Sequence, residues 1–298
     1  MRLRQIEVFH AVYSSGSMTS AAAMLNVSQP SVSKVLAHAE QQLGYLLFER
    51  QKGKLIPTPE AHQLFAHVTD VYRHVDRLRR VAGNLATGQS GLIRVASTPA
   101  FGIDVLPAAV ASFLDDHPDT RFEINTLHFD EIVDALLEAR VDVGLAFDPV
   151  KPPGVELHSL GTGRFVVLAP PDSSLKGRES VSLEDLAGYP FVGLNSQGPL
   201  GRMLSTYLAT SGVELDIVAW SETYHIAKTL VARGKGLTIA DEITARSAIG
   251  GDVQMIRLEP SLEFEIAALH ASNTPLSVAG NAFVEQLGDE IQSFLSRP

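Results

Sequence analysis

Along the first ninety residues the apolar positions fall at helical spacing. Leu3, Ile6, Phe9 and Val12-Tyr13 share one face and predict a first helix, which Ser14-Ser15-Gly16-Ser17 ends. The alanine-rich stretch 19–25, packed through Ala21-Ala22-Ala23, predicts a second, with Ser17 as its N-cap. Asn26 suits the left-handed conformation of a helix stop. A third helix then starts at once: Ser28 stands where its hydroxyl would cap it, and Pro30 is tolerated in a first turn that needs no amide donor. Val32, Val35-Leu36, Ala39 and Leu43 carry this helix to Gly44. Two short extended runs follow around Gln51-Lys52-Gly53-Lys54, the pattern of a β-hairpin. From Thr58 onward Ala61, Leu64, Val68, Val71, Val75, Leu78, Ala82 and Leu85 alternate by three and four. That is a heptad seam, so a long helix is expected to pair with a copy of itself, and Gly88-Gln89-Ser90-Gly91 ends it as a linker.

Past Gly91 the period changes. Strands are predicted over 91–97, 121–127 and 141–147, with helices over 106–114 and 130–139 between them. A second set has strands at 164–169, 191–193, 217–220 and 236–240 and helices at 183–187, 202–210 and 223–232. A late strand at 264–270 and a closing helix at 277–296 complete the chain. Alternation at this spacing implies parallel βαβ units. Two such sets, split near Gly161-Thr162-Gly163 and rejoined by the late strand, predict two lobes with a ligand-sized cleft between them. The expected fold is therefore α/β with a helix-rich N-terminal module. Its expected boundaries are 1–59, a linker helix 60–89, and a body 90–298 with lobe I at 90–161 and 268–298 and lobe II at 162–267.

Composition narrows the function. With 298 residues, 45% hydrophobic and 19% charged, the chain has the make-up of two or three folded domains. It contains no cysteine, which excludes disulfides, thiolate metal sites and a thiol nucleophile. No apolar run approaches the ~18 residues of a membrane helix. Met1-Arg2-Leu3-Arg4-Gln5-Ile6-Glu7 enters an amphipathic helix directly, so a cytoplasmic protein with no membrane partner is expected. The net charge of −10 speaks against nucleic acid until the chain is divided. Residues 1–90 carry 10 basic and 6 acidic side chains, the remainder 14 and 28. A basic module joined to an acidic body is the arrangement of a nucleic-acid binder with a separate sensor.

Two helices separated by Asn26-Val27 form a helix-turn-helix, and the second leaves Ser28, Gln29, Ser31, Ser33, Lys34 and His38 facing outward. Short hydrogen-bonding groups and a cation suit base edges and phosphates in a major groove, although a plain helical hairpin would show a polar face as well. The hairpin next to it clusters Arg50, Lys52 and Lys54, as a wing gripping the phosphate backbone would.

The runs Leu3-Arg4-Gln5-Ile6-Glu7-Val8-Phe9, Gly16-Ser17-Met18-Thr19 with Ala21-Ala22, Val27-Ser28-Gln29-Pro30-Ser31-Val32-Ser33 and Leu46-Leu47-Phe48-Glu49-Arg50 with Pro57-Thr58 resemble the LysR-type transcriptional regulators. Thr58-Pro59-Glu60-Ala61 stands where many members have Thr-x-x-Gly. The resemblance implies a winged helix-turn-helix, a dimerising linker helix and a two-lobed effector domain like that of periplasmic solute-binding proteins. It also implies double-stranded DNA with an interrupted dyad, a small-molecule effector, a homodimer assembling into a homotetramer, and RNA polymerase as a candidate partner. Effector contacts are expected at Thr98, Pro99, Ala100, Ser196, Gln197, Thr223 and His225, with a helix N-terminus at 98–100 offering amides to an anionic group. Thr238-Ile239-Ala240-Asp241 departs from the family's usual Leu-Pro and resembles the branch of opine-responsive activators and the activator of lysine biosynthesis. That branch implies a cationic or zwitterionic effector whose amine faces Asp241 or Glu222.

An enzyme is the rival class. No Gly-x-Ser-x-Gly elbow, His-Glu-x-x-His, phosphate-binding glycine loop or dinucleotide fingerprint occurs, so neither catalytic residues, a metal nor a cofactor is expected. A solute-binding protein with a dimerisation helix would leave the helix-turn-helix and wing without a purpose.

Overall fold

The structure, a computed structural model, describes residues 1–51, 54–87, 91–195 and 198–297. Its contacts divide the chain into two units, Met1–Leu85 and Ala86–Pro298.

The first unit holds α1 (Leu3–Ser15), α2 (Met18–Met24), α3 (Gln29–Leu43), β1 (Phe48–Gln51), β2 (Lys54–Pro57) and most of α4 (Pro59–Thr87). The punctuation residues act as their chemistry dictates. Gly16 and Gly44 end α1 and α3 in the left-handed conformation, Asn26 has φ +51°, and the Ser17 hydroxyl accepts from the Ser20 amide at 3.4 Å. Phe9, Val12, Ala21, Ala22, Val32, Leu36 and Leu47 form the core, whereas Ala23 is exposed and takes no part in the close helix packing. Ser28 occupies the N-cap of α3 but its hydroxyl makes no capping bond. Pro30 lacks an amide, and the Ser31 amide already donates to the Ser28 carbonyl at 3.0 Å, so little is left for the hydroxyl to cap.

The heptad seam divides in two. Ala61 and Val68 are buried within the unit itself, while Val71 and Leu78 are 43% and 69% exposed; Ala82 and Leu85 fall outside the described side chains. Aromatic stacking fixes the first turns of α4 against α1. Tyr13 stacks on Phe65 with ring centroids 3.7 Å apart, and His10 on Tyr72 at 4.4 Å. The Tyr13 hydroxyl bonds to His62 Nδ1 at 2.5 Å.

In the second unit β3 (Leu92–Ser97), α5 (Val105–Asp116), β4 (Arg121–Thr126), α6 (Phe129–Leu137) and β5 (Val143–Phe147) build a parallel sheet ordered β4-β3-β5. β6 (Val155–Ala169), β7 (Ser180–Val181) and a 3-10 turn (Glu184–Leu186) lead to the second set. There β8 (Pro190–Leu194), α7 (Gly198–Ser211), β9 (Asp216–Ser221), α8 (Tyr224–Ala232) and β10 (Thr238–Asp241) repeat the same winding, ordered β9-β8-β10 through a Phe191–Leu237 bridge. α9 (Glu242–Arg246), β11 (Gln254–Leu258), β12 (Glu263–Ala271) and α10 (Val278–Ser296) follow.

The predicted split at Gly161-Thr162-Gly163 is not a loop. β6 runs unbroken through it, antiparallel to β12 from Glu263 opposite Arg164 to Ala271 opposite Val155, with the register shifting between Ile266 and Ala267. Gly163 is required there, since a Cβ would lie 2.6 Å from the Phe264 ring. Two paired strands therefore join the halves. Phe147, Phe264 and Phe165 pack edge to face beside them, with centroids 5.1 and 5.2 Å apart. Among the described residues no helix is long and apolar enough to cross a membrane.

Candidate functional site

Both halves wind outward from their first strand and return past it, so each has a crevice at the carboxyl ends of its strands. The two crevices face one cavity of about 90 Å³. Thr98, Pro99 and Ala100 follow β3, His128 and Phe129 follow β4, and Phe147 ends β5. From the other half come Gly198–Gly201 after β8, Glu222, Thr223, Tyr224 and His225 after β9, and Thr244 after β10.

The cavity wall is chemically unfinished. Thr98 Oγ1, Tyr224 Oη and His225 Nε2 are buried and have no hydrogen-bond partner, whereas the Thr244 hydroxyl bonds to the Asp241 carboxylate. A buried polar group left unpaired costs roughly 1–3 kcal/mol, so three of them on residues that line one space favour a polar guest there. Burial, followed by the charge of Lys228, lowers the His225 pKa, with Asp104 opposing, so its imidazole is held neutral. Burial raises the Tyr224 pKa well above the ordinary phenol value and keeps its proton available for donation.

Of the expected effector residues, Thr98, Pro99, Ala100, Thr223 and His225 line the cavity, whereas Ser196 and Gln197 lie outside the described residues. The helix N-terminus expected at 98–100 is absent. Thr98 and Pro99 carbonyls accept from the Phe101 and Gly102 amides in a turn, and α5 begins only at Val105. The starts of α6, α7 and α8 face the cavity instead, and at α8 the Thr223 hydroxyl accepts from the Ile226 amide at 3.4 Å. Asp241 does not line the cavity either. Its carboxylate is fully buried behind the wall as the N-cap of α9, Oδ1 accepting from the Thr244 amide at 2.8 Å. Glu222 does reach the cavity, on an exposed rim. Tyr224 belongs to the segment 222–225 that the sequence placed at the cleft, whereas Thr244 escaped that reading, although it follows a strand end, where such a fold collects its ligands.

Burial raises the Asp241 pKa to about 6, against the lowering effect of the hydrogen bonds from Thr244. The native carboxyl therefore takes up its proton near pH 6, and the unfolded one only near the ordinary aspartate value of 3.8. Between these limits the native state binds more protons, so stability contributed here rises as pH falls through 6 and levels off below about 4. Asp241→Asn, which retains a capping oxygen, should remove up to one proton from that slope, about 1.4 kcal/mol per pH unit. Denaturant unfolding of both proteins between pH 4 and 7 measures it; identical slopes would show that Asp241 titrates normally.

On the first unit Ser28, the N-cap of α3, and Ser31, Ser33 and Lys34 within it are exposed, and Gln29 is half-buried. His38 is exposed on the same helix, but its Nδ1 is bonded to Gln5 Nε2 at 3.0 Å. Glu40 Oε1 accepts from the Leu47 and Phe48 amides at 2.8 and 3.2 Å and fastens the hairpin beside α3. Arg50 is exposed on β1; Lys52 lies outside the described residues, as does the side chain of Lys54 at the start of β2. Among the described residues no group of three His, Asp or Glu is arranged to hold a metal ion.

Residues 3–62 match the model of the bacterial regulatory helix-turn-helix protein, lysR family, and residues 86–292 that of the LysR substrate binding domain. The chain is 40% identical to the HTH-type transcriptional regulator DgcR of Pseudoalteromonas sp, over 97% of this chain and 99% of that one. It is 28% identical to the regulatory protein NocR of Agrobacterium fabrum, over 91% of each. In fold it is similar to full-length CbnR complexed with its target DNA, with a TM-score of 0.68 and 21% identity, over 99% of this chain and 100% of that one.

Proposed function

Because the chain belongs to the LysR family of transcriptional regulators, and is thus a DNA-binding regulator and not an enzyme, we propose that a small molecule bound between the two lobes controls how a homodimer holds its operator. Lobe I is residues 90–161 and 268–298, lobe II 162–267, and the DNA-binding module is residues 1–59. The linker helix 60–89 pairs two chains, and two dimers make a homotetramer on an interrupted dyad, in the cytoplasm and within reach of RNA polymerase. Ser28, Gln29, Ser31, Ser33 and Lys34 face the major groove, and Arg50, Lys52 and Lys54 the flanking phosphates.

The observation that carries the effector reading is the set of three unpartnered polar atoms on residues that line the cavity. Two hydroxyls, an imidazole that burial keeps from charging and the first turn of α8 suit a carboxylate, which accepts several hydrogen bonds and favours the positive end of a helix. Glu222 on the rim would face an amine on the same molecule, a zwitterion being the further proposal. Ser196 and Gln197 are proposed as further effector contacts.

A thermal-shift panel of carboxylates and amino acids tests this, because a ligand selective for the native state raises Tm. Tyr224→Phe and Thr244→Val, each deleting one hydroxyl at nearly constant shape, should weaken the hit about 5- to 10-fold, the worth of one hydrogen bond. A hit whose affinity neither substitution changes would place the effector elsewhere.

A further inference from the structure

α9 is five residues long and joins two things that the fold otherwise keeps apart. At about 100° per residue, Glu242 and Arg246 share one side of the helix and Thr244 lies on the other. On the Thr244 side is the cavity, which this fully buried residue lines. On the other side the Glu242 carboxylate is 4% exposed and held by two guanidinium groups. Arg246 donates from Nη2 at 2.8 Å and Nε at 3.1 Å, and Arg164 of β6 from Nε at 3.1 Å and Nη2 at 3.4 Å. Arg246 Nη1 also donates to the main-chain carbonyl of Arg297, just beyond α10.

Those partners belong to the connection between the halves. Arg164 faces Glu263 where β6 and β12 pass from one half to the other, and α10 packs on α5 and β6. α9 has little freedom to adjust to one side alone. Asp241 caps its start, and Lys228, 2% exposed, donates to the carbonyls of Thr244 and Ala245 at 3.2 and 3.1 Å and to that of Ser247. A buried carboxylate with two cations is costly to disturb, because separating them leaves a charge unpaired. Turning α9 to move the Thr244 hydroxyl would therefore shift Glu242 against Arg164.

We propose that α9 couples the cavity to the junction of the two halves: Glu242, Arg246 and Arg164 are positioning residues that set where the Thr244 hydroxyl stands, without themselves touching the guest. This rests on the reading of the cavity as the effector site, but its test needs no ligand. Hydrogen–deuterium exchange of the full-length protein, followed over residues 241–247, compares wild type with Arg164→Gln, Arg164→Lys and Arg94→Gln. Arg94 is a control, since it pairs with Glu123 at 2.7 Å on the β3–β4 edge.

Arg164→Gln should accelerate exchange in 241–247 at least tenfold, Arg164→Lys should recover most of the protection by retaining the charge, and Arg94→Gln should leave the segment unchanged. Arg246→Gln provides the same measurement from α9 itself should Arg164→Gln fail to fold. Unchanged exchange in the glutamine variants overturns the coupling, as does equal acceleration by Arg94→Gln or no recovery by lysine. A negative result here leaves the small-molecule reading standing, and an empty thermal-shift panel leaves this one standing.

Discussion

Replacing Val71 and Leu78 together by lysine will leave the protein monomeric and lower its affinity for a two-half-site operator by about 10²–10⁴. Both side chains are exposed on α4, at 43% and 69%, and continue a seam whose earlier members Ala61 and Val68 are buried within the same chain. The apolar row thus passes from an internal surface to an open one, and a second copy of α4 is the proposed cover. Lysines facing their own copies across a paired seam would be desolvated and mutually repelled. The DNA effect follows from linkage: with both half-sites held by one particle the second contact is intramolecular, and losing it forfeits the effective concentration that joined them. Sedimentation gives the mass and a gel shift the affinity. A double variant that remains dimeric would remove α4 as the pairing element.

Gln29→Ala is expected to cost ~1–3 kcal/mol at the specific site, about 10- to 100-fold, and to flatten the ranking of operator variants. Gln29 is the first residue of α3, where an amide side chain could bond an adenine edge in two places. Lys54→Ala should behave differently, weakening all sequences alike and reducing the salt slope by about one, the mark of a lost phosphate contact. Competition binding on randomised operators at two salt concentrations separates the two effects. If Gln29→Ala preserves the ranking, another residue reads the bases; if Lys54→Ala preserves the slope, the hairpin does not grip the backbone.

What could be read from the chain beforehand depended on how local its cause is. The ends of α1 and α3 were legible because Gly16 and Gly44 impose them from within one turn. The βαβ winding was legible because each strand and helix carries its own period. β6 was foreseen only over its second half. The first half, Val155–Ser159, earns its strand by pairing with residues 267–271, more than a hundred positions away. α9 and β11 are five residues each, too short for a period to show. For the cavity, the loops were identifiable but not the atoms that matter. Thr244 is one threonine among many until β10 delivers it to the same space as Thr98. Asp241 drew attention as a free carboxylate, and the fold spends it on capping a helix.

The stacked rings of Tyr13, Phe65, His10 and Tyr72 bear on what the operator must look like. They make the first turns of α4 and the helix-turn-helix a single casting, while Gln5 pins α3 to α1 through His38 and Gln42. A reading head cast in one piece with its stem cannot swivel to follow a displaced half-site. In a pair of such heads the spacing they accept is a machined dimension, so five extra base pairs, half a turn of the duplex, would be resisted far more than ten. A mismatch in phase must then be absorbed by overtwisting or untwisting the DNA.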